Sequence, residues 1–393
     1  MVFTEAVLNS GFSATPESHQ RKAGSNVELT YAHWMLRLSG IVPEADREPD
    51  NKYKSFHKSV EMFRNRTSLD RRRQVELCGD IDTLLRTVLQ MADVIVCTPF
   101  TAGHPTIVSA IKPDVVGIDE AAKFTEPEMW PILANYYPSP ILMAGDHYQL
   151  GPTVTSSSQT NPFVYQLHLS LFKRLINGGN ASVMLEVQHR MHPDISKLVN
   201  RQFYHNKLTD HESTSNETAS FLRDFNKRRF GVETNLLFLD ISCSEVEIEN
   251  HSRKNRHHAA AAIALCKELL GLKRFSPKDI VILVPYEAQF RTYVKVGESP
   301  IVIFDMTVTT HAGFLDDKTR LNVALSRAKN ALYIVGDMIA MRSSIWSDEY
   351  QQRYARLTQV LDHIEMAKLC VRDSKLGESA KKRFSTRGSI GRR

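Results

Sequence analysis

Two acidic residues stand together at Asp119-Glu120, directly after the aliphatic run Val115 to Ile118. A carboxylate at the end of a buried strand can hold a hard divalent cation. A second one beside it can polarise an attacking water. Gly145-Asp146-His147-Tyr148-Gln149 follows a second such run, Ile141 to Ala144, and Gln149 carries an amide suited to a terminal phosphate oxygen. Gln188-His189-Arg190-Met191-His192-Pro193 follows a third, Val183 to Val187. Pro193 suits the first turn of a helix, which places Arg190 in the turn before it, where its fork of donors fits a phosphate. Arg320 and Arg327 stand seven apart in Arg320-Leu321-Asn322-Val323-Ala324-Leu325-Ser326-Arg327, two turns along one expected helix face, with Asp316 and Asp317 as N-caps. Taken singly, each feature has a bland reading as a strand-end acid pair or a structural arginine.

Short, mostly β-branched runs must position these groups. They are Val94 to Cys97, Val115 to Ile118, Ile141 to Ala144, Val183 to Val187, Leu236 to Leu239, Ile280 to Val284, Ile301 to Phe304 and Leu332 to Val335. Most are separated by helical or polar stretches, an alternation that predicts α/β domains with buried parallel strands. Residues 1–27 read as a flexible lead. Residues 28–90 read as a basic helical segment, 91–178 as a first α/β domain, 179–347 as a second, and 348–393 as a helix followed by a basic tail.

The 393 residues carry a net charge of +6, distributed unevenly. Residues 51–74 hold eight basic residues, Arg71, Arg72 and Arg73 among them, against Glu61 and Asp70, a net +6. Residues 371–393 hold another net +6, so the remainder is at −6. Two basic segments on a mildly acidic body point to a polyanionic partner more than the total does. Either segment also reads as an ordinary solvated face or tail. No apolar run approaches the roughly 18 residues of a membrane-spanning helix, and no secretory leader is apparent. Five cysteines without a C-x-x-C pair argue against a disulfide framework or zinc ribbon. The expectation is an intracellular protein, nuclear or cytoplasmic, with reduced thiols. His189 and His192 have no third ligand nearby, so a metal on that pair is not expected.

In order along the chain stand D-E-A-A at 119, G-D-x-x-Q-L-x-P at 145, L-x-x-Q-x-R-M-H-P at 185, V-P-Y-x-x-Q at 284 and R-L-N-V-A-L-S-R-A-K at 320. Together they resemble motifs II, III, IV and VI of the up-frameshift-like branch of superfamily 1 helicases, over roughly residues 90–340. The resemblance implies two RecA-like domains of the P-loop NTPase type, with ATP and magnesium in the cleft between them and RNA or DNA across their top. By matching position it implies that Asp119 holds magnesium, Glu120 activates water, and Asp146 and Gln149 lie at the nucleotide, with Gln149 sensing the γ-phosphate. Arg190 and Arg327 would stabilise transition-state charge. Thr98, after the Val94 to Cys97 run, would touch the nucleic-acid backbone, and the 51–74 segment falls where the family places accessory nucleic-acid contacts. A monomer is expected.

Two departures stand out. The family opens with G-x-x-x-x-G-K-[ST], whose backbone N–H groups and lysine cradle the phosphates. Here none of the 18 glycines is followed by lysine. The first domain is therefore expected to be incomplete, without the loop or its strand, which the resemblance places between the strands ending at Asp119 and Asp146. The usual Q-G-x-E is represented only by Gly297-Glu298. Three readings follow: an ATP-dependent helicase or translocase, a catalytically dead remnant that binds nucleic acid or protein, and a truncated product of a full helicase gene. An unrelated hydrolase using Asp119 and Glu120 is a distant fourth.

Overall fold

The computed structural model describes residues 30–41, 51–65, 67–157, 159–242, 244–291, 299–309, 313–345 and 355–373. The lead 1–27, the Gly297-Glu298 segment and the tail beyond 373 lie outside the described residues. The chain divides into two compact units. One comprises Met1–Ala144 with Thr153–Leu171, and the other Gly145–Pro152 with Phe172–Arg393. The short segment holding Asp146 and Gln149 thus belongs to the second unit although its flanks belong to the first, a division different from a single cut near 178.

In the first unit three helices, α1 (Tyr31–Leu38), α2 (Lys54–Arg64) and α3 (Arg71–Met91), pack together. Leu77, Ile81, Leu84, Leu85 and Leu89 recur at helical spacing on α3 and are buried against Met35, Phe56 and Val60. Strands β1 (Val116–Ile118) and β2 (Ile141–Met143) flank helix α4 (Glu126–Asn135) and pair in parallel, Val116 opposite Ile141. Neighbouring strands lie about 4.8 Å apart, so no third strand fits between them. The position that the resemblance implies for the missing strand, between these two, is therefore corrected: a further strand would join this pair only at an outer edge.

The Val94 to Cys97 run forms no strand. Val96 is 92% exposed and Leu142 on β2 is 67% exposed. A β-branched run becomes a strand only when a neighbour takes its backbone groups and covers its side chains; here no strand pairs with it, and only Ile95 is partly covered, against the helical core.

The second unit is built differently. Strands β3 (Val187–Gln188) and β4 (Thr209–Asp210) form a short parallel pair around helix α5 (Pro193–Phe203). Val183 to Glu186, expected as strand, is not, and Val183 and Leu185 are exposed. Helix α6 (Glu217–Phe230) leads to β5 (Leu236–Asp240). A hairpin, β6 (Glu247–Glu249) and β7 (Ser252–Lys254), precedes α7 (Arg256–Gly271). Then come β8 (Ile280–Leu283), β9 (Ser299–Asp305), α8 (Lys318–Leu325), β10 (Ala328–Gly336), α9 (Ala355–Met366) and β11 (Cys370–Val371). The sheet order is β11-β5-β10-β9-β8, and every pairing is parallel.

Alternate residues of each strand face opposite layers. Leu236, Phe238, Val302, Phe304, Leu332 and Ile334 pack under α5, α8 and α9. Leu237, Leu239, Ile301, Ile303, Tyr333 and Val335 pack under α6 and α7. Both faces are covered, so the strands read as continuous apolar runs. The consecutive alanines Ala259 to Ala262 of α7 are all buried, letting that helix approach the sheet closely. At Gly336 a Cβ would sit 2.6 Å from Phe238 Cζ, so only glycine fits there. Among the described residues no helix is long and apolar enough to cross a membrane, and Cys78, Cys97, Cys266 and Cys370 are free thiols.

Candidate functional site

Asp119 and Glu120 lie in the first unit, at the C-terminal end of β1, the end at which parallel α/β sheets bind ligands. Glu120 is left-handed, φ 52° and ψ 35°. That conformation costs an ordinary residue about 1–2 kcal/mol. Three hydrogen bonds hold the turn: Ala121 N–H donates to Ala144 O at 2.8 Å, Ala144 N–H to Ile118 O at 2.8 Å, and Glu120 N–H to Asp119 Oδ1 at 2.9 Å. Ala121 and Ala122 are buried beneath it. Both carboxylates are exposed, and Glu120 pairs with Lys123 at 3.2 Å.

Thr98, also in this unit, is exposed and N-caps the short helix Pro99–Ala102, accepting from Thr101 N–H at 3.3 Å. Asp70 caps α3, accepting from Arg73 N–H at 2.8 Å. Arg71 and Arg72 are exposed and Arg73 half-buried at the same helix start. Cations there oppose the helix dipole by about 0.3–1 kcal/mol each, and Arg73 Nη1 reaches Met62 Sδ of α2 at 2.7 Å. Arg72 pairs with Glu76 at 3.1 Å.

The other candidates lie in the second unit. Asp146 accepts from Tyr148 N–H at 2.9 Å with Oδ1. Its Oδ2 accepts from Gln149 Nε2 at 2.9 Å and from the Tyr204 hydroxyl at 2.6 Å. Burial first, and the Asp146 carboxylate second, push the Tyr204 phenol far above its ordinary value, so it remains a donor. Asn322 on α8 is fully buried, and its amide donates to Tyr148 O and to Tyr204 Oη, each at 3.1 Å. Asn322 Oδ1 is buried without a partner, at a cost of roughly 1–3 kcal/mol.

Arg190 is exposed in the turn after β3. Gln188 braces that turn. Its Oε1 accepts from Arg190 N–H at 2.9 Å and Met191 N–H at 2.8 Å, and its Nε2 donates to Met191 O at 2.7 Å and Asp210 Oδ1 at 2.6 Å. His192 N-caps α5, with Nδ1 accepting from Asp194 N–H at 3.2 Å. His192 N–H donates to Lys329 O at 2.8 Å, tying the Arg190 turn to the start of β10. Arg327 is half-buried immediately before that strand. The expected shared helix face with Arg320 does not form, because α8 ends at Leu325 with Ser326 as its C-cap. Of the two expected caps, Asp317 caps α8, while Asp316 lies in the preceding 3-10 turn.

Sequence reasoning did not single out Tyr204 or the amide of Asn322. The one available signal was an asparagine, a poor helix former, in the middle of a helical stripe. Gln289 of the V-P-Y-x-x-Q segment turns inward. It is fully buried, donates to Asp305 Oδ2 and to Asn255 O, and accepts from Asn255 N–H at 2.8 Å. His258 joins this buried network, with Nδ1 3.2 Å from Asp305 Oδ1 and Nε2 3.0 Å from Ser244 Oγ. The network fastens the strand ends at β8 and β9 to the start of α7.

Within the first unit, Asp119 offers a carboxylate oxygen of the kind that holds magnesium. Within the second, Gln149, Arg190 and Arg327 carry donors of the kind that meet phosphate oxygens. A cradle of glycine amides with a lysine is not among these residues, since no Gly-Lys pair occurs. The fit to a triphosphate is therefore incomplete, and no hydrolytic step is derived. Among the described residues no group of three His, Cys, Asp or Glu could hold a metal unaided.

Comparison with known proteins places the chain in a family. Two family models, each described as an AAA domain, match residues 16–157 and residues 167–299 with 295–339. The chain is 28% identical over 356 residues to a regulator of nonsense transcripts 1 homolog from Neurospora crassa, covering 82% of this chain and 30% of that protein. It is 27% identical over 314 residues to the ATP-dependent helicase NAM7 of Saccharomyces cerevisiae, covering 71% and 31%. It is 30% identical over 285 residues to an uncharacterized ATP-dependent helicase of Methanocaldococcus jannaschii, covering 65% and 40%. The chain thus spans less than half the length of each of these relatives. With its motif order and its parallel α/β units, the chain belongs to the up-frameshift-like branch of the superfamily 1 helicases.

Proposed function

We propose that this chain is part of an ATP-driven nucleic-acid helicase, contributing the γ-phosphate sensor, the charge-stabilising arginines and the carboxylate pair. As these 393 residues stand, they do not turn over ATP unaided. The observation that carries this is the second unit, where Gln149 and Arg190 are braced by hydrogen bonds, and Arg327 directly precedes β10, whose start is tied to the Arg190 turn. Relatives named as ATP-dependent helicases support it. In this reading Asp119 is the magnesium ligand and Glu120 the group that orients water. Asp146 fixes Gln149, and Arg190 and Arg327 meet the phosphates. Because no Gly-Lys cradle is present, the β- and γ-phosphates lack their main anchor, and nucleotide binding is weak.

RNA or DNA is the polyanion this reading assigns to the basic segment. Exposed Arg71 and Arg72 and half-buried Arg73, held at a helix start against the dipole, support it, and Thr98 is assigned a contact to the same backbone. The test is ATP hydrolysis by the purified chain, with and without single-stranded RNA and DNA, against Glu120→Gln as the blank. The expected result is no difference from the blank together with measurable nucleic-acid binding. Hydrolysis that depends on Glu120 would overturn the claim of no unaided turnover. Absence of any nucleic-acid binding would overturn the assignment of the basic segment.

A further inference from the structure

We infer that Tyr204 and Asn322 are positioning residues that lock the Asp146–Gln149 turn into the same frame as Arg190 and Arg327. The role of Gln149 at a phosphate rests on the function proposed above, whereas the lock itself does not depend on nucleotide.

The turn has its own hydrogen bonds, from Tyr148 N–H to Asp146 Oδ1 and from Gln149 N–H to Asp146 O at 3.2 Å. Those bonds shape the turn and leave it unattached. Two side chains attach it. The Tyr204 hydroxyl donates to Asp146 Oδ2, the same oxygen that accepts from Gln149 Nε2. The same hydroxyl accepts from Asn322 Nδ2, so both of its roles are used. Asn322 also donates to Tyr148 O. The carboxylate, the carbonyl and, through the carboxylate, the Gln149 amide are thereby gripped together.

The orientation of Asn322 is informative. Both bonds need its NH2 group, and turning the amide over would set oxygen against oxygen at Tyr148. The amide is held in this orientation although its own Oδ1 is left buried without a partner. Tyr148 packs edge-on against Tyr204, with ring centroids 5.6 Å apart, and against His205 at 5.9 Å. His205 and Asn206 both have left-handed backbones, φ 56° and 59°, just past the end of α5.

The placement gives the lock its consequence. Tyr204 follows α5, whose N-cap His192 stands two residues after Arg190. Asn322 lies on α8, whose C-cap Ser326 directly precedes Arg327. The two helices that hold the glutamine turn are thus the two that set the arginines, and His192 N–H to Lys329 O closes the frame. A flexible connection of Gln149 to this frame would leave three phosphate-facing groups to be ordered separately, and 1 Å of misplacement is costly to such constellations.

The test uses the full chain without nucleotide. Backbone amide exchange is followed at Tyr148 and Gln149 in Tyr204→Phe and in Asn322→Ala, with Tyr148→Phe as a packing control. The Gln149 side-chain amide resonance, identified by its loss in Gln149→Ala, is followed in parallel. The expected result is exchange about ten-fold faster at Tyr148 and Gln149 in both variants, and a shifted Gln149 side-chain resonance. Exchange in α5 and β10 stays unchanged, and the control is silent. Unchanged exchange over residues 145–152 in either variant, or loss of protection that spreads equally through α5, would overturn the lock. Failure to hydrolyse ATP bears only on the proposed function, because neither readout involves nucleotide.

Discussion

The two units contain the same kind of sequence and treat it differently. In the second, five parallel strands are covered on both faces, and Ile303, Phe304, Tyr333 and Val335 are essentially inaccessible. In the first, two short strands pair alone among the described residues, while Val94, Val96 and Leu142 remain exposed. Apolar β-branched runs supply the material of a sheet, but pairing and cover come from elsewhere in the chain. The contrast extends to chemistry. The second unit braces Gln149 and the Arg190 turn through several hydrogen bonds, whereas the first presents an exposed carboxylate pair on a strained turn.

Core substitutions separate the units most strongly. Ile303→Ala is expected to cost about 3–4 kcal/mol, whereas Leu142→Ala is expected to change stability by less than about 0.5 kcal/mol. Urea unfolding followed by amide exchange checks both, with β1 and β2 losing protection before β9 and β10. Comparable costs at the two sites would break the contrast. The basic helix start comes next. Neutralising Arg71, Arg72 and Arg73 is expected to reduce the slope of log affinity for single-stranded nucleic acid against log salt by about 2. A fluorescence titration at several salt concentrations reads this, and an unchanged slope removes the segment from the interface.

A smaller effect is expected with pH in the second unit. Burial, reinforced by Arg223 and opposed by Asp194, holds His192 below its ordinary value. His147 and His363 are lowered in the same direction, chiefly by burial. A histidine lowered in the folded state binds its proton more readily when unfolded. Stability is therefore complete above the unfolded value near 6.5 and falls as pH drops below it. Protonation of His192 would also abolish its acceptor at Nδ1 and set a positive charge at a helix N-terminus. About 1 kcal/mol is expected to be lost between pH 7.5 and 5.5. His192→Asn, which keeps a cap without titrating, is expected to remove part of that loss. Denaturation curves at the two pH values decide, and a loss identical in wild type and variant would absolve His192.

Much of the second unit was legible. Leu236 to Leu239, Ile280 to Leu283, Ile301 to Phe304 and Leu332 to Val335 all form strands, because each is a short aliphatic run sandwiched between helices, and only Val284 of the expected runs falls outside. The Arg190 turn and the start of α5 were legible from Pro193. Val94 to Cys97 and Val183 to Glu186 misled because local composition cannot report a missing neighbour. Arg327 was misplaced by two residues of helix, since the cap at Ser326 has no strong sequence signature. Tyr204 and Asn322 were illegible for a further reason. Their partners lie far away in the chain, Asp146 at a separation of 58 residues from Tyr204 and Tyr148 at 174 from Asn322. Nothing in either local pattern encodes those meetings.

The central claim is that a well-built second unit is paired in sequence with a first unit that has no phosphate cradle of the Gly-Lys kind. Steady-state ATP hydrolysis by the purified chain at saturating RNA or DNA tests it most directly, compared with Glu120→Gln in the same preparation. The two rates are expected to coincide. A nucleic-acid-stimulated rate on the order of 1 per second or faster, abolished by Glu120→Gln, would contradict it.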